Sequence, residues 1–419
     1  MAQKLQKNYF VATIAVVAVG LGYAVADGQG QASETLAERA HRIHRDAIVM
    51  DAHADLLPLI QKDVRPPNID DPGMAGPGYD VTDAPRRRRQ DNDWLRVFPT
   101  GPWDFSERHE TGYMDLPRMR EGGLDAQFFA IYTEKDDRPG MPVKIALGQI
   151  SAVHALADKH RADVGLAISA EDVRRITAAG KVAALMGVEG GHMIDNDLEV
   201  LRAFAKLGVR YFAPSHCFNT HWADSSGCGP SDATEQTIDA VHGGLSPFGR
   251  EVVLETNRLG ILVDVSHVSD ETFFDVLSVT KAPVIASHSS VDGVKLHARN
   301  MSDEMLKALA LNGGVIHING VLKYIDPIQR EQTPLSVFID HIEHAVKVAG
   351  IDHVGIGMDY SPRVGAPVGI EDCSGYGAIT YALLERGYNE ADIRKILGEN
   401  TLRVMSEAEH VAQDWDNTE

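Results

Sequence analysis

The sequence predicts an α/β fold, a (β/α)8 TIM-type barrel with a long insertion after its first strand. Eight short apolar runs alternate with helical patterns along most of the 419 residues. Strands that alternate with helices are typical of a parallel sheet, and eight such units favour a closed barrel. A doubly wound open sheet is the alternative, but no G-x-G-x-x-G follows the first run, which weakens a dinucleotide-binding interpretation.

The predicted strands are short and rich in aliphatic residues, as buried parallel strands are. In chain order they lie at 47–51, 126–132, 183–188, 211–214, 261–265, 284–286, 314–318 and 354–356. Helical patterns precede the first run at 34–45 and lie between later runs at 144–160, 198–207, 249–259, 302–311 and 335–349. The order of these segments is the evidence for the barrel.

Composition excludes several classes of protein. The net charge is −20 at pH 7, so nucleic acid is not an expected partner, and the one basic run, Arg86 to Arg89, lies in a loop-like stretch. An apolar content of 44% is too high for a disordered chain. Three cysteines are too few for a disulfide scaffold. A bridge between Cys217 and Cys228 and a free buried thiol both remain open.

Residues 1–26 have the pattern of a signal peptide. Lys4 and Lys7 precede an apolar stretch at 11–19, and Ala24-Val25-Ala26 provides a small-x-small cleavage site. An uncleaved anchor is the alternative, but the apolar segment is short for a membrane span. We therefore expect a periplasmic or secreted protein without stable membrane insertion, in which 27–419 form a single domain.

The segment at about 64–112 is the expected insertion. It contains seven prolines and several glycines, and it is too long for an ordinary connection. Its place after the first predicted strand suggests a lid over the open end of the barrel.

Imidazoles and carboxylates follow the predicted strands. In a barrel the carboxyl ends of all strands open onto one face, so side chains that follow them meet there. Imidazole and carboxylate groups suit Zn²⁺ and similar cations. An isolated histidine at a strand end is usually a hydrogen-bonded rim residue. A set of this many imidazoles and carboxylates at strand ends is not expected by chance. These side chains are His53, Asp55, Glu189, His216, His267, His288 and Asp359. Other histidines, such as His41, His44 and His341, are expected to be solvated.

Several motifs occur in the order known from one enzyme family. They are D-A-H-A-D at 51–55, G-V-E-G at 187–190, Y-F-A-P-S-H-C-F-N-T-H-W-A-D at 211–224, L-V-D-V-S-H at 262–267, S-H-S-S at 287–290, H-A-R-N at 297–300 and G-I-G-M-D at 355–359. Each motif is weak alone, but seven in order are specific. The chain resembles the membrane dipeptidase (renal dipeptidase) family, the zinc metallopeptidases of family M19, over residues 45–405. This resemblance implies a barrel of the metal-dependent hydrolase kind.

The resemblance implies two Zn²⁺ ions per chain. His53 and Asp55 would bind one ion, His267 and His288 would bind the other, and Glu189 would bridge them. A carboxylate bridge can hold two ions about 3.5–4 Å apart, and a hydroxide shared between them is a nucleophile at neutral pH.

Three further residues receive roles from the resemblance. Asp359 would be the catalytic acid/base, His216 would contact the substrate over the metals, and Arg299 would bind the substrate carboxylate. From the sequence alone an ordinary surface ion pair is the simpler interpretation of Arg299. The family often has D-F-D-G after the eighth strand, whereas Tyr360 follows Asp359 here, so the side-chain pocket is expected to differ.

The expected function is hydrolysis of dipeptides, including those with a C-terminal D-residue. Two alternatives remain. One is a hydrolase of another carboxylate-bearing amide, a β-lactam or an N-acyl amino acid, on the same metal centre. The other is a non-catalytic periplasmic binding protein. A homodimer is the partner state that the resemblance suggests.

Overall fold

The computed structural model describes residues 34–57, 60, 103–110, 112–135, 138–330, 332–361 and 365–417. The predicted signal peptide at 1–26 and most of the predicted insertion at 64–112 lie outside these ranges. Leu36–Glu419 form one compact unit. Within the described ranges, no helix combines the length and the apolar character that a membrane span needs.

The strands and helices alternate as the sequence predicts. The strands are β1 (Met50–Ala54), β2 (Ala126–Ile131), β3 (Val164–Leu166), β4 (Val182–Glu189), β5 (Val209–Ala213), β6 (Leu262–Val263), β7 (Ile285–Val291), β8 (Asn300–Met301), β9 (Val315–Ile318) and β10 (Val354–Ile356). The helices are α1 (Leu36–Asp46), α2 (Leu116–Gly122), α3 (Met141–Lys159), α4 (Ala170–Ala178), α5 (Leu198–Lys206), α6 (Pro247–Arg258), α7 (Asp270–Val279), α8 (Asp303–Asn312), α9 (Leu322–Ile325), α10 (Leu335–Ala349), α11 (Tyr376–Glu385), α12 (Glu390–Arg394) and α13 (Asn400–Asp416).

Eight of the described strands close into the predicted barrel. Parallel ladders join β1-β2-β4-β5-β6 and β10-β9-β7. The two groups meet through single parallel bridges, Asp264 with Ile285 and Ala54 with Tyr360. β3 and β8 are additional short strands that pair with β4 and β7. The closed-barrel prediction is therefore confirmed, and β3, β8, α4 and α7 are among the elements that the sequence pattern did not predict.

Local sequence explains where several helices begin. Ser169, Ser246, Ser269 and Ser302 are the N-cap residues of α4, α6, α7 and α8, and each hydroxyl accepts a backbone N–H three residues later. Such a cap satisfies one of the N–H groups that the first helical turn leaves without a partner, which typically contributes about 1 kcal/mol. Each cap thus fixes where the chain turns from a loop into its helix.

The core has two layers. Met50, Phe128, Leu185 and Ile285 fill the barrel interior, where they pack with Leu402 and Met405 of α13. A second layer lies between the strands and the surrounding helices and includes Phe129, Phe212, Phe204 and Phe273. Because side chains fill the interior, the barrel has no open channel. Space for a ligand lies instead at the carboxyl ends of the strands.

Buried aspartates join the strands at both places where the ladder is reduced to a single bridge. Asp51 accepts the N–H of His53 at 2.7 Å and that of Met358 at 3.1 Å, which ties β1 to the segment after β10. Asp264 accepts the N–H of Ser266 at 3.0 Å and that of Ser287 at 2.9 Å, which ties the segment after β6 to β7. These carboxylates satisfy backbone groups that an interrupted ladder would leave unpaired.

His44 on α1 and His341 on α10 are buried, so the prediction that they are solvated is wrong. Val291 donates its backbone N–H to Nδ1 of His341 at 3.2 Å, and Nε2 lies 3.0 Å from the carbonyl oxygen of Ile325. Since Nδ1 accepts a hydrogen bond, the ring fits its site only when neutral. Burial lowers the pKa of His341 to about 4, although the Ile325 carbonyl acts to raise it.

We expect acid to destabilise the protein through His341. Its pKa is 6.5 in an unfolded chain, so as the pH falls below 6.5 the unfolded state binds a proton before the folded state does. The loss is about 3 kcal/mol by pH 4. His341→Asn keeps an acceptor for Val291 and cannot titrate. In urea unfolding at pH 7.5 and 4.5, the variant should lose about 2–3 kcal/mol less stability than the wild type. Equal losses would contradict the assignment.

Candidate metal centre

Six of the barrel strands deliver the predicted side chains to one centre. His53 lies on β1, Glu189 ends β4 and His288 lies on β7, whereas His216, His267 and Asp359 follow β5, β6 and β10. All of them, together with Asp55, lie at the carboxyl end of the barrel. Groups of these side chains place ligand atoms within 4.8 Å of one another, among them His53, Glu189 and His288, and also His53, Asp55 and Asp359.

Glu189 lies between two sets of ligands. Its Oε2 faces Nε2 of His53 at 3.6 Å. Its Oε1 faces Nε2 of His267 at 2.9 Å and Nε2 of His288 at 3.3 Å. The two carboxylate oxygens thus point to different halves of the centre, as a bridging ligand requires. Nε2 of His267 and Nε2 of His288 lie 2.8 Å apart, and Nε2 of His53 lies 3.7 Å from Oδ1 of Asp55. The division of these ligands between two ions stays a prediction.

The buried polar atoms fit a divalent cation. Nε2 of His53 and Oδ1 of Asp55 are buried without a hydrogen-bond partner and lie 3.7 Å apart. A buried polar atom without a partner is costly, and a metal ion between two such atoms removes that cost. The chemistry of the donor set, three imidazoles and two carboxylates, suits zinc.

Side chains behind the ligands set the orientation of the imidazole rings. Nδ1 of His53 lies 2.9 Å from the hydroxyl oxygen of Tyr211. Gly187, in the G-V-E-G motif, makes room for the Tyr211 ring, since a Cβ there would overlap it. Metal-binding histidines normally use their second nitrogen in this way, which fixes the ring and directs the first nitrogen to the ion.

A second orienting chain runs from Asp264 to His288. The hydroxyl of Ser287 donates to Oδ2 of Asp264 at 2.6 Å, and its oxygen lies 2.8 Å from Nδ1 of His288. Because that hydroxyl gives its proton to Asp264, the Ser287 oxygen must accept from Nδ1–H of His288. The lone pair of His288 is therefore on Nε2, which faces Glu189.

The protonation of the centre reflects its burial and its crowded charges. Burial acts to lower the pKa of His53, but Glu189, Asp55 and Asp359 outweigh it and raise the pKa to about 10. Burial raises the pKa of Glu189 well above its usual range, although His53 opposes this. Burial also lowers the pKa values of His267 and His288, so both rings are neutral and able to bind metal. A cation at the centre would displace the His53 proton.

Asp359 occupies an unusual backbone position next to the ligands. Its φ is 57°, in the left-handed region, and its N–H donates to the carbonyl of His53 at 3.1 Å. Its Oδ1 lies 3.9 Å from Nε2 of His53. Burial and the charge of Asp55 raise the pKa of Asp359 to about 7, against the charge of His53. A carboxyl with a pKa near neutrality can both take up and release a proton.

A cavity of about 500 Å³ opens over the centre. Its described lining consists of Asp55, Tyr132, Glu134, Glu189, His216, Cys217, Cys228, His267, Val321, Leu322, Lys323, Tyr324, Asp359, Ser361 and Gly365. Among these described lining residues, the ammonium group of Lys323 supplies a positive charge. Arg299 is not part of it: its side chain is buried, with the guanidinium carbon 5.6 Å from the centre of the Tyr324 ring. Arg299 thus lies behind the described cavity surface, and its family-based role in binding the substrate carboxylate stays a prediction.

The cysteine question is settled by the structure. Cys217 and Cys228 form a disulfide, with their Cα atoms 5.0 Å apart, and Cys373 is free and buried. The bridge lies beside the metal centre, where Cys217 would otherwise complete a ligand group with His216 and His267. In the disulfide its sulfur has no thiolate charge to offer a metal.

The chain is similar in sequence and fold to known dipeptidases. Residues 37–419 match the family model of membrane dipeptidases, peptidase family M19. Dipeptidase tcpJ of Claviceps purpurea is 36% identical over 344 residues, which cover 78% of this chain and 78% of that protein. The structure of the probable dipeptidase PvdM from Pseudomonas aeruginosa matches with a TM-score of 0.74 at 25% identity, over 91% of this chain and 100% of that chain.

A third relative carries a ligand. The metallopeptidase structure from Rhodobacter sphaeroides, liganded with a phosphinate mimic of the dipeptide L-Ala-D-Ala, matches with a TM-score of 0.70 at 26% identity, over 87% of this chain and 100% of that chain. The family model, the curated relative and these folds agree with one another. The chain therefore belongs to the membrane dipeptidase family of metallopeptidases, family M19, and is a metallo-dipeptidase.

Proposed function

We propose that the protein is an exported binuclear zinc dipeptidase that accepts a D-residue at the C-terminal position. The position of Glu189 carries the metal part of this proposal. Its two oxygens face His53 on one side and His267 with His288 on the other. When bound, two zinc ions would supply an activated water at neutral pH and polarise the scissile carbonyl.

The chain's own residues would supply the remaining chemistry. Asp359, beside His53 and on the cavity wall, would take a proton from the attacking water and give it to the leaving amine. His216 also lines the cavity, with Nε2 3.7 Å from Oε1 of Glu189, so it can donate to the oxygen on which negative charge develops. Both side chains are partly buried, which reduces the screening of their charges by water and strengthens their interactions.

The substrate preference rests on the cavity and on a relative. A cavity of about 500 Å³ is in the range of small-ligand sites. Glu134 lies on its wall and offers a negative charge to a free amino terminus, whereas Lys323 offers a positive charge to a carboxylate. The Rhodobacter sphaeroides relative holds a phosphinate mimic of L-Ala-D-Ala, which supports acceptance of a D-residue.

A substrate panel with zinc-loaded protein tests this proposal. We expect release of alanine from L-Ala-D-Ala and from L-Ala-L-Ala, and much slower hydrolysis of N-acetyl-D-alanine and of a β-lactam, because these lack a free peptide amino terminus. Turnover of the N-acyl or β-lactam substrate alone would favour the other amide hydrolase. No turnover of any amide by protein with bound zinc would favour a binding protein.

Lys323 should contribute to recognition of the substrate carboxylate. We expect Lys323→Met to raise KM for L-Ala-D-Ala about tenfold with little change in kcat, since a charge-assisted hydrogen bond contributes about 1.5–3 kcal/mol. The wild type should prefer L-Ala-D-Ala over its C-terminal amide, and this preference should shrink in the variant. Lys307→Met, on the exposed face of α8, is the matched control. An unchanged acid-to-amide preference would exclude Lys323 from this role.

Export is supported by two features. Residues 1–26 have the signal-peptide pattern, and a disulfide close to the site is typical of proteins in oxidising compartments. Expression of the full chain with fractionation and N-terminal sequencing tests this part. We expect a periplasmic or secreted product that begins after Ala26, and a cytoplasmic product that retains Met1 would contradict it.

A further inference from the structure

The Cys217–Cys228 disulfide contacts two imidazoles of the proposed centre. Sγ of Cys228 lies 3.4 Å from Nδ1 of His267, and Sγ of Cys217 lies 3.6 Å from Nε2 of His216. Both cysteines line the cavity. We infer that this disulfide is a positioning element: it orients His267 towards the second metal and holds His216 over the substrate. The inference rests on the proposed two-metal centre.

The contact with His267 favours the tautomer in which Nε2 is free for a metal. Of the three metal-binding imidazoles, His53 has Tyr211 behind it and His288 has Ser287. Behind His267 the corresponding partner is the sulfur of Cys228. A disulfide sulfur has no hydrogen and can only accept, so this contact is a hydrogen bond only when Nδ1 of His267 carries the proton. The lone pair is then on Nε2, which faces Glu189 at 2.9 Å. A free thiol could donate instead and would not impose this tautomer.

The backbone of His267 adds a reason for such support. Its φ is 68°, in the left-handed region that non-glycine residues avoid, and such positions persist where surrounding contacts hold them. The loop that carries the disulfide also pairs with this segment, through Ser226 N–H to the His267 carbonyl at 2.8 Å and a bridge between Ser225 and Val268. These backbone bonds remain when the cysteines are replaced, so the loop should stay folded without the disulfide.

Zinc binding to matched variants tests the inference. The full chain is compared with Cys217→Ala/Cys228→Ala, with Cys217→Ser/Cys228→Ser and with the control Cys373→Ala, which removes the free buried thiol. Zinc equivalents are measured by elemental analysis after equilibration in buffers of fixed free zinc. We expect two equivalents in the wild type and the control. Both double variants should keep the first ion and need about 10–100-fold more free zinc to take up the second.

Kinetics separates positioning from general stability. At saturating zinc we expect kcat/KM of the double variants to stay below the wild-type value, because His216 is no longer held where it contacts the substrate and its developing oxyanion. Reduction of the wild type with a water-soluble phosphine should give the same pattern: the phosphine supplies two electrons and becomes its oxide with oxygen from water, whose two hydrogens end on the sulfurs. The Cys373→Ala control keeps the disulfide and should respond to the phosphine as the wild type does, whereas the double variants should not respond.

The outcomes distinguish this inference from the proposed function. Two equivalents of zinc at wild-type free zinc together with an unchanged kcat/KM in the double variants, even with a lower melting temperature, would overturn the inference and leave the two-metal proposal intact. A wild type that takes up no second zinc would overturn both.

Discussion

Replacing Asp359 by asparagine is expected to lower kcat by about 10²–10⁴ while both metals stay bound. Asp359 lines the cavity and its Oδ1 lies 3.9 Å from Nε2 of His53. Asparagine has the same shape and tolerates the left-handed backbone that this position adopts at φ 57°. The N–H that binds the His53 carbonyl is also kept. The variant therefore removes the proton-accepting carboxylate and little else.

The measurement is kcat for L-Ala-D-Ala with zinc content determined on the same samples. Asp195→Asn is the matched control, since Asp195 is also a left-handed aspartate, at φ 48°, but lies outside the described cavity lining. We expect the control to retain wild-type turnover. An Asp359→Asn protein with two zinc equivalents and unchanged kcat would refute the acid/base role.

Glu189→Gln is expected to disrupt the binding of both metals. The carboxylate is buried, and its two oxygens face the two ligand sets. An amide of the same shape carries no charge, and its NH₂ group would point towards an imidazole nitrogen. Because one side chain serves both halves of the centre, a single substitution should weaken both ions, whereas loss of a ligand from one set should weaken mainly one ion.

Thermal unfolding gives a second measurement for this variant. Zinc should raise the melting temperature of the wild type, because a ligand that binds the folded state stabilises it, and it should leave Glu189→Gln nearly unchanged. Without zinc, Glu189→Gln should have a higher melting temperature than the wild type. The pKa of Glu189 is raised by burial in the folded state, so its charge destabilises the folded protein at pH values above its unfolded pKa. The neutral amide removes this penalty.

Glu134→Gln is the matched control for Glu189, because it removes the charge of another carboxylate of the cavity wall. It should keep two zinc equivalents and the zinc-dependent rise in melting temperature. Two full equivalents in Glu189→Gln at the same free zinc would count against a bridging carboxylate.

Much of the barrel could be predicted because its signals are local. A continuous aliphatic run such as 183–188 reads as a buried strand, and the structure has it as Val182–Glu189. Leu335–Ala349 begins and ends as the pattern indicates. β3 was missed because it has only three residues, one of them glycine, and its pairing with β4 is what makes it a strand.

The sequence by itself determined which side chains come together. His53, Glu189, His288 and Asp359 each lie on or just after an apolar run, and parallel strands bring such positions to one end of the barrel whatever the loops do. The order of the strands along the chain was enough to predict this end as the site, and the motifs named the family.

Only the tertiary structure decided how those side chains are held. Tyr211 lies 158 residues from His53, and Tyr376 donates to Asp51 across 325 residues, so no local pattern reports these contacts. No local pattern reports the contact of the disulfide with His267 or the position of Lys323 on the cavity wall either. The physical reason is that ring tautomers and side-chain directions depend on hydrogen-bond partners from distant strands, which meet only when the barrel closes.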